Sequence, residues 1–202
     1  MERGTIDITG ALKGAGWRPL VASSGGTMVH DLERIGADHF EMPLHSKNPY
    51  VMRRNIARLR TLIESEGVDI VHARSRAPAH SAIVAARQAN VRFITTFHAT
   101  YNFATPPKRW YNSVMAKGER VIAISNALKD HILENYTVNP NRIRVIHRGI
   151  DLERFDPARV SAERVIHLSR EWRLPDGVPV VLMPGRLTGW KGQSVLIEAL
   201  AQ

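Results

Sequence analysis

Short apolar or β-branched runs alternate along this chain with longer stretches whose apolar residues recur every three or four positions. The runs lie at residues 18–22, 38–42, 68–73, 91–97, 120–124, 142–146 and 178–183 and predict strands. Helical patterns fall at residues 5–13, 27–35, 49–66, 77–88, 107–116 and 126–135. Strands separated by helices of this length pair in parallel through right-handed crossovers. The expected fold is therefore α/β, a doubly wound, Rossmann-like parallel sheet. Punctuation agrees: Gly36 and Gly67 follow helices, Ser125 can cap the next one, and Asn139-Pro140-Asn141 turns the chain. Ser125 and Asn126 also lie where a ligand cleft would open, so a plain cap and a cleft role both fit. Internal repeats and low-complexity tracts are absent from the sequence.

The periodicity weakens after residue 147. Residues 148–157 carry Gly149 and three acids without a pattern, residues 161–172 read as a connecting helix, and Pro175-Asp176-Gly177 turns into the last apolar run. This predicts a first domain at residues 1–147, a linker at 148–177 and the opening of a second domain at 178–202.

That opening holds the most suggestive local chemistry. Gly185-Arg186-Leu187-Thr188-Gly189-Trp190-Lys191-Gly192 lies between the apolar run at 178–183 and an amphipathic segment at 194–201. A strand, a Gly-rich turn and a helix start offer close backbone approach and free N–H groups, to which Arg186 and Lys191 add charge. Arg grips phosphate oxygens bidentately, whereas Lys is a mobile point charge. The turn matches neither the P-loop nor the G-x-G-x-x-G spacing. On these residues alone it is either a phosphate cradle or an ordinary strand-to-helix turn with solvated charges.

Composition narrows the setting. There are 28 Lys and Arg against 19 Asp and Glu, a net charge of +9, which favours an anionic partner. Basic residues concentrate around one predicted helix as Lys47, Arg53, Arg54, Arg58 and Arg60, on which Met52, Ile56, Leu59 and Ile63 form the expected buried stripe. Arg54 and Arg58 lie nearly opposite that stripe. The face is either a solvated exterior or a docking surface for anionic lipid, worth about 1 kcal/mol per basic residue. Cysteine is absent, which excludes disulfides, thiolate metal sites and a Cys nucleophile. The nine histidines show no metal-ligand spacing. No apolar run approaches the ~18 residues of a membrane span, and the N-terminus does not read as a signal peptide, so a cytoplasmic location is expected. Aromatic content of 6% and the lack of an RNA-binding motif argue against nucleic acid as partner.

Several segments resemble, in order, the retaining GT-B glycosyltransferases of family 4. They are Asp69-Ile-Val-His-Ala-Arg74, Thr95-Thr-Phe-His-Ala99, Val121-Ile-Ala-Ile-Ser-Asn126, Val145-Ile-His-Arg-Gly-Ile-Asp151 with Phe155, and the stretch 180–202. The likeness is greatest to bacterial enzymes of lipopolysaccharide and envelope-glycan synthesis. It implies transfer of a sugar, with retention, from a nucleotide sugar to a glycan or lipid-linked acceptor. No metal or other cofactor is implied, and peripheral attachment to the inner face of the cytoplasmic membrane is compatible with it. Residues 1–147 would form the acceptor-side domain. Gly185, Arg186 and Lys191 would hold the donor diphosphate, with Arg186 and Lys191 stabilising the leaving group.

His98 would line the cleft beside the transferred sugar. It ends an apolar run, as a ligand-binding residue at the carboxyl edge of a parallel sheet does, and an ordinary imidazole titrates near neutrality. Without the resemblance, a strand-end His satisfied by a backbone carbonyl fits equally. His72 ends another run but is expected to serve the core. Trp110 and Tyr111, beside Lys108 and Arg109, either stack on an acceptor sugar, reach a membrane interface, or pack beneath the next strand. By comparison with the family both ends look truncated: a first strand and the E-x(7)-E donor segment are missing, so the 202 residues alone are expected to be inactive and weakly stable. The competing class is a basic polyanion-binding module without catalysis, or a non-catalytic remnant.

Overall fold

The computed structural model describes residues 2–101 and 105–201. The chain divides into two compact units, Met1–Gly149 and Ile150–Gln202.

In the first unit helices and strands alternate. The order is α1 (Glu2–Gly14), β1 (Leu20–Ser23), α2 (Val29–Arg34), β2 (Asp38–Glu41), α3 (Pro49–Glu66), β3 (Ile70–Ala73) and α4 (Arg76–Gln88), then β4 (Arg92–Phe97), α5 (Pro106–Asn112), β5 (Arg120–Ala123), α6 (Asn126–Asn135) and β6 (Ile143–Val145). All pairings are parallel, as crossover helices require. Six of the expected strands form, within two residues of the predicted bounds.

They form two sheets. β1 pairs with β2, and β3–β4–β5–β6 make a separate four-stranded sheet. No described strand bridges β1 to β3, so each keeps one edge without a ladder partner. The doubly wound topology is present, but its sheet is interrupted at that place.

Local chemistry explains the boundaries. Asn48 caps α3 by accepting from the Tyr50 amide at 2.9 Å, and Gly67 ends it in the left-handed conformation at φ 62°. Ser125 accepts from the Leu128 amide at 3.2 Å, so its role is that of an N-cap. The expected helix at 107–116 is shorter: α5 gives way to a 3-10 turn, Ser113–Ala116, whose Val114, Met115 and Ala116 are all buried.

The main core joins α3, α4 and the four-stranded sheet. Phe97, Met115, Val121, Ala123 and Ile132 are fully buried there. The α3 stripe includes a residue that hydrophobicity does not mark: Asn55, 1% exposed, donates its side-chain amide to the Pro43 carbonyl at 3.0 Å. Met52 and Ile56 are only half-buried.

The second unit has α7 (Ala162–Glu171), a 3-10 turn at Gly189–Lys191 and α8 (Gln193–Leu200). Ser161 caps α7 by accepting from the Arg164 amide. The strand expected at residues 178–183 does not form. Val178, Val180, Val181 and Leu182 are each more than half exposed. A strand exists through its ladder, and no described residue supplies one here. Val195, Ile197 and Leu200 on α8 are likewise exposed.

Candidate functional site

Residues that leave the carboxyl ends of β3, β4 and β6 converge in the first unit. Arg74 follows β3, His98 follows β4, and Arg148 lies three residues beyond β6. β4 and β6 are two strand spacings apart, about 10 Å, with β5 between them. Arg148 crosses that interval and donates a terminal nitrogen to His98 Nδ1 at 3.0 Å.

This bond fixes the imidazole. A guanidinium has no acceptor, so Nδ1 must accept and the ring proton sits on Nε2. His98 Nε2 is buried and has no hydrogen-bond partner among the described residues. Burial first, then the charges of Arg74 and Arg148, push the His98 pKa down to about 4. The expectation of titration near neutrality is thus corrected: at pH 7 His98 is a neutral Nε2–H donor, not a proton shuttle. Its polar bond goes to Arg148 and not to a backbone carbonyl.

His72 also sits here, its Nε2 2.7 Å from Thr96 Oγ1. Burial and the charge of Arg74 bring its pKa down to about 4 as well. Arg74 itself is displaced downward by burial and by Arg148. Its Nε and one terminal nitrogen are buried without a partner. The first turn of α1 lies close by, since a Cβ on Gly4 would stand 3.3 Å from the other terminal nitrogen. Among the described residues neither Arg74 nor Arg148 has an ion pair with a carboxylate.

Trp110 and Tyr111 diverge. Tyr111 stacks on His80, centroids 4.6 Å apart, and its carbonyl accepts from His80 Nε2 at 3.0 Å. Trp110 is 68% exposed and lines an open cavity of about 440 Å³ with Pro106, Arg109, Lys117 and Tyr136.

The Gly-rich turn belongs to the second unit. Gly185 opens it, and Gln193 Nε2 donates to the Arg186 carbonyl at 2.9 Å, tying the turn to the start of α8. Gly192 takes φ 78°, a left-handed conformation suited to glycine, and precedes α8 with no side-chain cap on its first turn. The Arg186 side chain is exposed, and Lys191 Nζ lies 4.3 Å above the Trp190 ring. The turn thus combines two cations with uncapped amides at a helix start. Among the described residues no three His, Asp or Glu side chains cluster as a metal site would require. No described helix is long and apolar enough to cross a membrane.

Parallel strands wound with helices, with cationic side chains gathered at the carboxyl edge where such folds receive ligands, define an α/β protein of the doubly wound class. The family model for Glycosyltransferase Family 4 matches residues 1–154, and the chain belongs to that family. Among solved structures, a glycosyltransferase from Rickettsia africae is 44% identical with a TM-score of 0.87, over 99% of this chain and 53% of that one. Anabaena HepE, solved with UDP and glucose, is 19% identical and shares the fold at a TM-score of 0.77, over 100% of this chain and 54% of its own. The GT-B likeness expected from sequence therefore holds at the level of fold. Of curated relatives, a D-inositol 3-phosphate glycosyltransferase of Salinispora arenicola is 34% identical over 89 residues, covering 44% of this chain and 20% of the relative. A phosphatidylinositol N-acetylglucosaminyltransferase subunit of Saccharomyces cerevisiae is 28% identical over 148 residues, covering 70% and 31% respectively. The chain spans about half the length of the solved relatives and a third or less of these curated ones.

Sequence reasoning singled out His98 but not its two arginines. Arg74 and Arg148 stand in the motif runs 69–74 and 145–151, yet they are 74 residues apart, as subtraction of their numbers gives, and only the fold brings both to one imidazole.

Proposed function

We propose that this chain is the acceptor-side domain, with the opening of the donor-side domain, of a glycosyltransferase that moves a sugar from a nucleotide sugar with retention at the anomeric carbon. The observation that carries the donor assignment is the turn at Gly185, Arg186 and Lys191, two exposed cations beside the uncapped start of α8. Cleavage of the sugar C1–O bond leaves negative charge on the β-phosphate of the nucleotide. Arg186 and Lys191 neutralise it, a stabilisation that grows toward the transition state and needs no metal. His98, fixed as a neutral Nε2–H donor, lines the cleft beside the transferred sugar. The acceptor is a glycan or lipid-linked glycan of the cell envelope, of the kind found in lipopolysaccharide synthesis, and transfer takes place on the cytoplasmic side. Support for that branch comes from the sequence motifs. The curated relatives are named for an inositol phosphate and for phosphatidylinositol.

A chimera tests this reading: the chain replaces the segment it matches in the Rickettsia africae glycosyltransferase. Arg186→Ala or Lys191→Ala should lower turnover by ~10²–10³-fold and weaken nucleoside-diphosphate affinity, whereas Arg34→Ala on α2 should do neither. Unchanged kinetics in both turn variants would remove the phosphate assignment.

One observation favours attachment to an acidic membrane as part of the same function. Arg53, Arg54 and Arg58 are exposed on α3 without an ion pair among the described residues, while Arg60 is held by Glu64 at 2.7 Å.

A further inference from the structure

We propose that Arg74 and Arg148, with the Nε2–H of His98, form an oxyanion-binding subsite for a phosphate or carboxylate on the acceptor. The inference rests on the acceptor-side reading of the first unit and adds the chemical class of what binds there.

The cluster has a deficit of a particular kind. Its members are two guanidinium groups and a neutral imidazole whose free ring nitrogen can only donate. Arg74 Nε, one Arg74 terminal nitrogen and His98 Nε2 are buried donors without a described acceptor. Each arginine elsewhere on the first unit that meets a carboxylate does so on the surface, as in Arg18 with Glu66 at 2.8 Å and Arg92 with Glu119 at 2.6 Å. At this point two like charges instead face one imidazole and repel each other. Buried donors and unpaired buried charge are costly unless an acceptor or counter-charge meets them. A bound oxyanion answers both needs, accepting from several N–H groups and neutralising the pair.

Position agrees with chemistry. The cluster stands at the carboxyl edge of a parallel sheet, where α/β folds receive their ligands. Arg148 is exposed and Arg74 half-buried, so an entering anion meets Arg148 first and Arg74 deeper. A wholly neutral hydroxyl acceptor would leave both charges unmatched.

The test uses the 202-residue chain, labelled with 15N, and reads the His98 ring and Arg74 Nε–H resonances during titration. Probes are inorganic phosphate and acetate at constant ionic strength, against chloride. Phosphate or acetate should move both resonances saturably, and Arg74→Gln and Arg148→Gln should each weaken that binding at least fivefold. Arg87→Gln, an exposed residue on α4, should leave it unchanged. Tighter binding of phosphate assigns a phosphorylated acceptor, and tighter binding of acetate a carboxylated one. Shifts no larger than those from chloride would overturn the proposal, as would equal binding in Arg148→Gln, whose exposed side chain can be replaced without unfolding the core. Neither readout involves Arg186 or Lys191, so failure here leaves the donor assignment standing, and failure of the donor assignment leaves this site standing.

Discussion

At the scale of single residues, the two depressed histidines tie the site to stability. In the folded chain His72 and His98 titrate near 4, against 6.5 for an ordinary imidazole. Between those values the unfolded chain binds more protons, so unfolding is favoured as pH falls from about 6.5 toward 4. The thermal midpoint should hold steady above pH 7 and drop below 6.5, and His72→Gln plus His98→Gln should flatten that slope. Glu119, held below its usual range chiefly by its hydrogen bond from Arg92, acts in a lower window, its contribution being lost only below about 4.5. An unchanged slope in the double variant would show that neither imidazole is neutral in the fold. Packing gives a second residue-scale test. A Cβ on Gly118 would stand 2.6 Å from the Arg120 carbonyl and 3.0 Å from Thr95 Oγ1, which itself donates to the Met115 carbonyl. Gly118→Ala should cost about 1–3 kcal/mol in chemical denaturation, as overpacking does. Gly14→Ala, with nothing within 4 Å, should cost nothing. What sequence could reveal at this scale depended on chain proximity. Ser125 as a cap needed only its neighbours, whereas Asn55 in the core needed Pro43 to fold back over α3.

At the scale of elements, periodicity located most helices and strands because it reports one-sided burial, and the first unit buries its faces. α3 and α6 run over the same residues in sequence pattern and structure. The stretch at residues 178–183 shows the limit: its composition is that of a strand, but composition cannot provide a neighbour to hydrogen-bond with. Amphipathicity likewise left the outer face of α3 open to two readings. If that face docks on membrane, co-sedimentation with vesicles of phosphatidylglycerol and phosphatidylcholine should fall as salt rises. Arg54→Glu plus Arg58→Glu should abolish it. Equal binding to purely zwitterionic vesicles would reject the electrostatic account.

At the scale of the whole molecule, parallel βα alternation was legible because crossover connections leave helices of fixed length between strands. The interruption between β1 and β3 was not legible in the periodicity, since each strand alone reads normally. The chain belongs to Glycosyltransferase Family 4 and shares the fold of the Rickettsia africae enzyme, and its structure carries a cationic carboxyl edge in one unit and a cationic Gly-rich turn in the other. The central claim is that these serve retaining sugar transfer. The most direct measurement follows the chimera with a panel of α-linked UDP- and GDP-sugars by 1H NMR of the first-formed sugar product. The account predicts release of nucleoside diphosphate from at least one donor, with the product's anomeric proton in the α configuration. Product in the β configuration, or no diphosphate released from any donor while the parent Rickettsia africae enzyme releases it, would contradict the account.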